Sequence, residues 1–122
     1  KKKFDIILLL EVLEHLENWE NLIYNIKSLL NKNGYLIIST INRNQMSKFF
    51  GIFLAENILK WIPKDTHDFN KLIKPNELSK TLKKNNFKIT DITGMNYNPI
   101  LRKWNFNKNS RFINYFCAAK KN

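Results

Sequence analysis

Two hydrophobic rhythms alternate along the first third of the chain. Phe4 to Leu10 is a short apolar run closed by Lys3 on one side and Glu11 on the other. Its length and charged borders predict a buried strand, far too short to cross a membrane. From Asn18 to Leu30 the apolar positions are Trp19, Leu22, Ile23, Ile26, Leu29 and Leu30. That spacing predicts an amphipathic helix. Asn31-Lys32-Asn33-Gly34 ends it, with Gly34 placed for a left-handed turn. Tyr35 to Ile41 is a second apolar run and a second strand. Strand, helix and strand, with both strands apolar throughout, predict a βαβ unit in a parallel sheet.

Beyond Asn42-Arg43-Asn44 the pattern changes. Met46 to Ile62 carries Phe49, Phe50, Phe53, Leu54 and Trp61 among Lys48, Glu56, Asn57 and Lys60, and Pro63 stops it. This predicts a helix with too much apolar surface for one packed stripe. It suits a helix lying in a membrane interface, with a lid helix packed on the sheet as the plainer reading. A loop with Thr66, His67 and Asp68 follows. Asp68 could orient His67 or simply cap a turn. Pro75 fits the first turn of a helix reaching about Asn85. Phe87 to Ile92 alternates as a strand does, Thr93 to Ser110 is a polar and aromatic excursion, and Phe112 to Ala119 is a final strand. No repeat or low-complexity linker divides the chain. The order predicts an α/β fold, the back half of a doubly wound, mostly parallel sheet whose last strand pair closes the edge as an antiparallel hairpin.

Composition changes this picture in three places. The chain has 122 residues, starts with Lys1-Lys2-Lys3 rather than Met, and runs straight into a strand, so Lys1 is expected to be an internal position of a longer protein. The net charge of +11 fits either an AT-rich genome or attraction to an anionic surface. The lysines are scattered, with no regular interleaving of aromatics, so no nucleic-acid partner is expected. Cys117 is the single cysteine, which excludes a disulfide within the chain and a Cys-based zinc site and fits a reducing compartment.

Candidate chemistry gathers just past the first strand, at Glu11, Glu14 and His15. Ligands of open α/β sheets bind at that end of the strands. Two carboxylates and an imidazole at this spacing could converge where the strand passes into the next turn. The plainer reading gives Glu14 to the first turn of a helix through the macrodipole and packs His15 against the sheet edge.

Phe4-Asp5-Ile6-Ile7 leading to Glu11-Val12-Leu13-Glu14-His15, with Gly34-Tyr35-Leu36-Ile37-Ile38-Ser39-Thr40, resembles the fourth and fifth strand motifs of class I S-adenosylmethionine-dependent methyltransferases, which have a Rossmann-like fold. Further stretches follow in order. They are Ser39 to Asn44, Ala55 to Leu59, Trp61 to Asp68, Phe69 to Leu78, and Gly94-Met95-Asn96-Tyr97-Asn98-Pro99. Together these resemble the O-methyltransferases of ubiquinone biosynthesis, over nearly the whole chain. The family usually has Gly at the place of Asp65, Pro-Gly-Gly at Lys32-Asn33-Gly34, and often Met at Leu10.

The resemblance implies methyl transfer from S-adenosylmethionine to a phenolic oxygen of a polyprenylated catechol-type ring. Residues 1–122 would then form a partial methyltransferase domain, without the N-terminal cofactor-binding half and with an interfacial helix insertion at 46–62. Gly34, Gly51 and Gly94 are too far apart to make a Gly-rich phosphate or cofactor turn. By family position Leu10 would lie beside the adenine or methionine moiety. Glu11, Glu14 and His15 would hold a divalent metal such as Mg²⁺, whose oxygen-rich ligation they suit, and His15 would serve as base without it. Phe49, Phe50, Phe53 and Trp61 would touch the membrane, and other ubiquinone-biosynthesis proteins are potential partners. The enzyme would then be cytoplasmic and peripheral on the inner membrane of a bacterium, or on the matrix side of a mitochondrion. Two alternatives stay open. One is a related methyltransferase of another small substrate; the other is a catalytically inactive fragment acting as a membrane-binding module. A sheet without its central strands would expose an apolar edge and tend to aggregate.

Overall fold

The computed structural model describes residues 2–43, 69–98, 100–109 and 114–122. Strand β1, Phe4–Leu10, leads through a 3₁₀ turn at Leu13–His15 into helix α1, Trp19–Leu29. Asn18 caps that helix: its Oδ1 accepts the Asn21 N–H at 3.1 Å. Strand β2, Leu30–Ile41, follows without a gap. A 3₁₀ turn at Phe69–Lys71 precedes helix α2, Pro75–Lys84, where proline fits the start because its missing N–H would be unpaired there anyway. Strands β3, Phe87–Asn98, β4, Lys103–Asn107, and β5, Asn114–Lys121, complete the described residues.

The sheet has five strands in the order β1-β2-β5-β3-β4. β1 and β2 are parallel, in register from Ile6 against Tyr35 to Leu10 against Ser39. The last strand, β5, runs antiparallel between β2 and β3. The parallel pair agrees with the sequence reading and the helix boundaries differ by a residue at most, but the expected closing hairpin at the edge is replaced by β5 inserted antiparallel between β2 and β3.

Three details correct that reading. The excursion from Thr93 to Ser110 contains structure: β3 continues to Asn98 and turns back as β4, pairing Gly94 with Asn107 through Asn98 with Lys103. Its polar composition hid the hairpin because ladder bonds come from the backbone and need no apolar face. The second strand starts at Leu30 rather than Tyr35. The left-handed residue is Asn33, with φ 65°, and not Gly34. Gly34 serves close approach instead: a Cβ there would stand 3.0 Å from both the Asn31 and the Asp5 carbonyl oxygens. The helix expected at 46–62 and the pair His67 and Asp68 lie outside the described residues.

Both helices cover one face of the sheet. Leu9, Leu36, Ile38, Tyr115, Cys117 and Ala119 point into it and pack with Ile23, Ile26, Leu78 and Leu82. Burial pushes the Cys117 thiol up to about 12, so it is an inert core residue. The opposite face carries Ile6, Leu8 and Leu10 on β1 and Tyr35 on β2, all exposed. Among the described residues β1 is also an edge strand.

Candidate active site

The C-terminal ends of β1 and β2 lie side by side, and two acids converge there. Glu11 leaves β1 with φ 54°, a left-handed conformation uncommon for a residue with a side chain. Neighbouring contacts hold it in that conformation. Its N–H donates to the Ser39 carbonyl at 3.0 Å and approaches Ser39 Oγ at 3.2 Å. The Ser39 hydroxyl in turn donates to Glu11 Oε1 at 2.8 Å. One turn later Glu14 is buried, and Thr40 Oγ1 donates to its Oε2 at 2.9 Å. Consecutive residues of β2 thus each hold one carboxylate.

The two acids also face each other. Burial pushes the Glu11 carboxyl up to about 7, and hydrogen bonding with Glu14 and its negative charge push the same way; Ser39 and Asn114 pull it back only in part. Glu14 Oε1 is buried without a hydrogen-bond donor. A proton on Glu11 is a natural partner for it, since two ionised carboxylates in contact repel. Near neutrality Glu11 is therefore poised to take up or release a proton, as a general base requires.

His15 follows Glu14 directly in the sequence. It ends the 3₁₀ turn with its side chain exposed. Among the described residues no three His, Cys, Asp or Glu side chains are gathered to hold a metal ion. Glu11 and Glu14 converge through Ser39 and Thr40. Leu10 stands half-exposed at the end of β1, on the sheet face away from the helices and opposite Ser39.

A concavity of about 510 Å³ opens beside the 3₁₀ turn at Leu13–His15, between Leu16, Trp19, Arg43, Leu72 and Lys80. Arg43, just past β2, reaches the Glu77 carboxylate and the Asn70 carbonyl. Glu77 Oε2 accepts the Lys74 N–H at 3.0 Å, so one acid caps α2 and ties Arg43 to it. Sequence reasoning missed Ser39, Thr40 and Asn114. Ser39 and Thr40 had a signal, two hydroxyls interrupting an apolar strand. Asn114 had none, because it arrives from the far end of the chain.

A family model for a methyltransferase domain matches residues 1–92. The chain belongs to the methyltransferase domain family. The ubiquinone biosynthesis O-methyltransferase of Rickettsia bellii is 40% identical over 121 residues, covering 99% of this chain and 50% of that protein. That of Pelagibacter ubique is 42% identical over 122 residues, again covering 50% of its length. The chain thus spans about half the length of the curated relatives it matches. Among solved structures, the magnesium protoporphyrin IX methyltransferase of Synechocystis PCC 6803 with bound SAH is similar at a TM-score of 0.63 and 22% identity, covering 100% of this chain and 47% of that one. A SAM-dependent methyltransferase, possible histamine N-methyltransferase, from Thermotoga maritima is similar at a TM-score of 0.74 and 13% identity, with coverage of 99% and 57%. These likenesses place the mixed sheet in the Rossmann-like class I methyltransferase fold.

Proposed function

We propose that this domain serves S-adenosylmethionine-dependent O-methylation in ubiquinone biosynthesis, with a polyprenylated catechol or hydroquinol as the methyl acceptor. The observation that supports it most is the carboxylate pair Glu11–Glu14, set at the ligand-binding end of the sheet in a chain 40% identical to ubiquinone biosynthesis O-methyltransferases.

S-adenosylmethionine supplies an electrophilic methyl group on sulfur. Of the residues described, Leu10 offers it an apolar wall; Gly34 and Gly94 lie inside strands and build no cofactor turn. The cradle for the cofactor would come from the part of the relatives that this chain does not span. The chain's own task is then the acceptor. The phenolic oxygen must lie in line with the methyl group, and its proton must leave. Glu11, near neutral in its titration, takes that proton, and Glu14 holds it in place through the shared contact. Ser39 and Thr40 keep both carboxylates aimed. Two adjoining carboxylates, one with a buried oxygen lacking a donor, also suit a cation such as Mg²⁺ in donor chemistry. Glu11 and Glu14, with His15, would hold it, and it would lower the phenol pKa. Contact with the membrane through Phe49, Phe50, Phe53 and Trp61, a place on the inner membrane, and association with other ubiquinone-biosynthesis proteins belong to the same reading and suit a substrate with an isoprenoid tail.

The test is a graft. Residues 1–122 replace the matching half of the Rickettsia bellii relative, and methyl transfer to a short-tailed polyprenyl catechol is followed with labelled cofactor. Transfer by the graft, lost in Glu11→Ala with Glu14→Ala, is the expected result. A folded graft that leaves every catechol unmethylated, beside an active parent, would sink the proposal and favour an inactive or membrane-binding domain.

A further inference from the structure

A row of cross-strand partners runs over the sheet face away from the helices. Leu10 of β1 stands opposite Ser39 of β2, Ser39 opposite Phe116 of β5, and Phe116 opposite Thr93 of β3. Neighbouring strands lie about 5 Å apart, so each of these side chains reaches the next. Tyr115 and Cys117 point into the helix-covered core. Strand alternation therefore turns Phe116, between them, to the opposite face, where it is half-buried.

Phe116 adjoins two groups that hold Glu11. Ser39, its partner across the strands, donates to Glu11 Oε1 at 2.8 Å. Asn114, two residues earlier on the same face of β5, hydrogen-bonds the same carboxylate. From the other side Phe106 of β4 meets the Phe116 ring edge to face, with centroids 5.6 Å apart and planes at 70°. Such a contact steadies the ring. Phe106 itself is 69% exposed.

The order along this row is the order of the proposed reaction. Leu10 walls the methyl donor, Glu11 beside Ser39 takes the proton, and an aromatic ring comes next. Leu10, Ser39, Phe116 and Thr93 carry no charge, so the surface suits a neutral flat ring lying over Phe116 with its hydroxyl toward Glu11. An apolar substituent on that ring then continues over Phe106, toward β4. We propose that Phe116 is the platform for the aromatic ring of the methyl acceptor and that Phe106 receives the first part of its apolar tail. This assignment rests on the proposed reaction, and its test includes binding without turnover, so the two can fail separately.

The test uses the graft on the Rickettsia bellii relative, with a catechol bearing a short prenyl tail and the same catechol without it. Phe116→Ala should raise KM for both catechols about tenfold, the worth of a lost aromatic contact, with the cofactor KM unchanged and kcat within about twofold. Phe116→Leu, which keeps apolar bulk and with it the fold, should behave as Phe116→Ala does, and Phe116→Tyr, which keeps the ring, should restore KM. Phe106→Ala should remove about tenfold of the preference for the tailed catechol. Tyr24→Ser, at an exposed position on α1, should leave every constant unchanged. Calorimetry of the graft loaded with S-adenosylhomocysteine reads catechol binding alone. Binding that falls about tenfold in Phe116→Leu, in a graft that transfers no methyl group, keeps this subsite and sinks the reaction. Working transfer with KM and binding unchanged in Phe116→Leu overturns the subsite and leaves the reaction standing. A folded graft that binds neither catechol overturns the subsite as well.

Discussion

Thr40 donates its hydroxyl to Glu14 at 2.9 Å, and both residues are buried. This bond joins the end of β2 to the turn that follows β1, and it is the donor that holds Glu14 Oε2. Thr40→Val keeps the shape and removes the donor. The expected loss is about 2 kcal/mol, the usual range for a hydrogen bond to a charged group. Urea unfolding measures it. Thr40→Val combined with Glu14→Leu should recover part of the loss, because an apolar pair leaves no polar atom without a partner. A double variant weaker than the sum of the singles would contradict this.

Glu11 makes stability fall as pH rises. Its carboxyl is raised from 4.5 to about 7, so between those values the folded chain binds more protons than the unfolded one. Its neutral form is the one the fold favours, and the stabilisation it gives is present at low pH and lost as pH climbs through about 7. Glu11→Gln should flatten this slope and raise the unfolding midpoint at alkaline pH. Unfolding curves of both proteins on either side of neutrality decide it; parallel pH profiles would mean that Glu11 titrates as an ordinary surface acid.

How far the sequence carried the fold depends on what drives each element. α1 and β2 were legible because burial imposes a period, and Leu36, Ile38, Ile23 and Ile26 obey it; β1 was legible as an apolar run, but of the buried strand expected there only Leu9 is buried among the described residues. β4 was not: every one of its residues is exposed, so no burial pattern marks it. The same division runs through the site. Glu11 and Glu14 were legible as acids at a strand end. The strained backbone at Glu11, its partnership with Ser39, and the arrival of Asn114 depend on contacts between distant segments, which no local spacing encodes.

Tyr115 fastens the centre of the sheet to the segment entering α2. Its hydroxyl donates to the Ile73 carbonyl at 2.8 Å, and burial keeps it protonated. Tyr115→Phe leaves that carbonyl without its donor at a buried position. A loss of about 1–3 kcal/mol is expected in thermal or denaturant unfolding. A loss below about 0.5 kcal/mol would mean that water takes the place of the hydroxyl.

Lys121 secures the end of α1 from the last strand. Its Nζ donates to the carbonyls of Lys27 and Leu30, both at 2.7 Å, where a helix leaves carbonyl groups unpaired. Lys121→Met keeps the chain's bulk and removes the donors. It should cost about 1 kcal/mol and speed amide exchange in the last turn of α1. Exchange that quickens across the whole sheet instead would place the effect in β5.

Among the described residues, one face of the sheet carries no helix. Ile6 and Leu8 point away from the helices, on β1, an edge strand among the described residues, and both are exposed. An exposed apolar edge pairs readily with another chain, and a lysine on it discourages that pairing. Leu8→Lys should therefore lower self-association, seen as a smaller sedimentation coefficient at high concentration. It should leave the denaturant midpoint within about 0.5 kcal/mol, as exposed substitutions do. A large fall in stability would mean that Leu8 is covered in solution. Unchanged self-association beside unchanged stability would move the contact off this face and onto the β3–β4 hairpin, which Ile100→Asn with Leu101→Asn would then relieve.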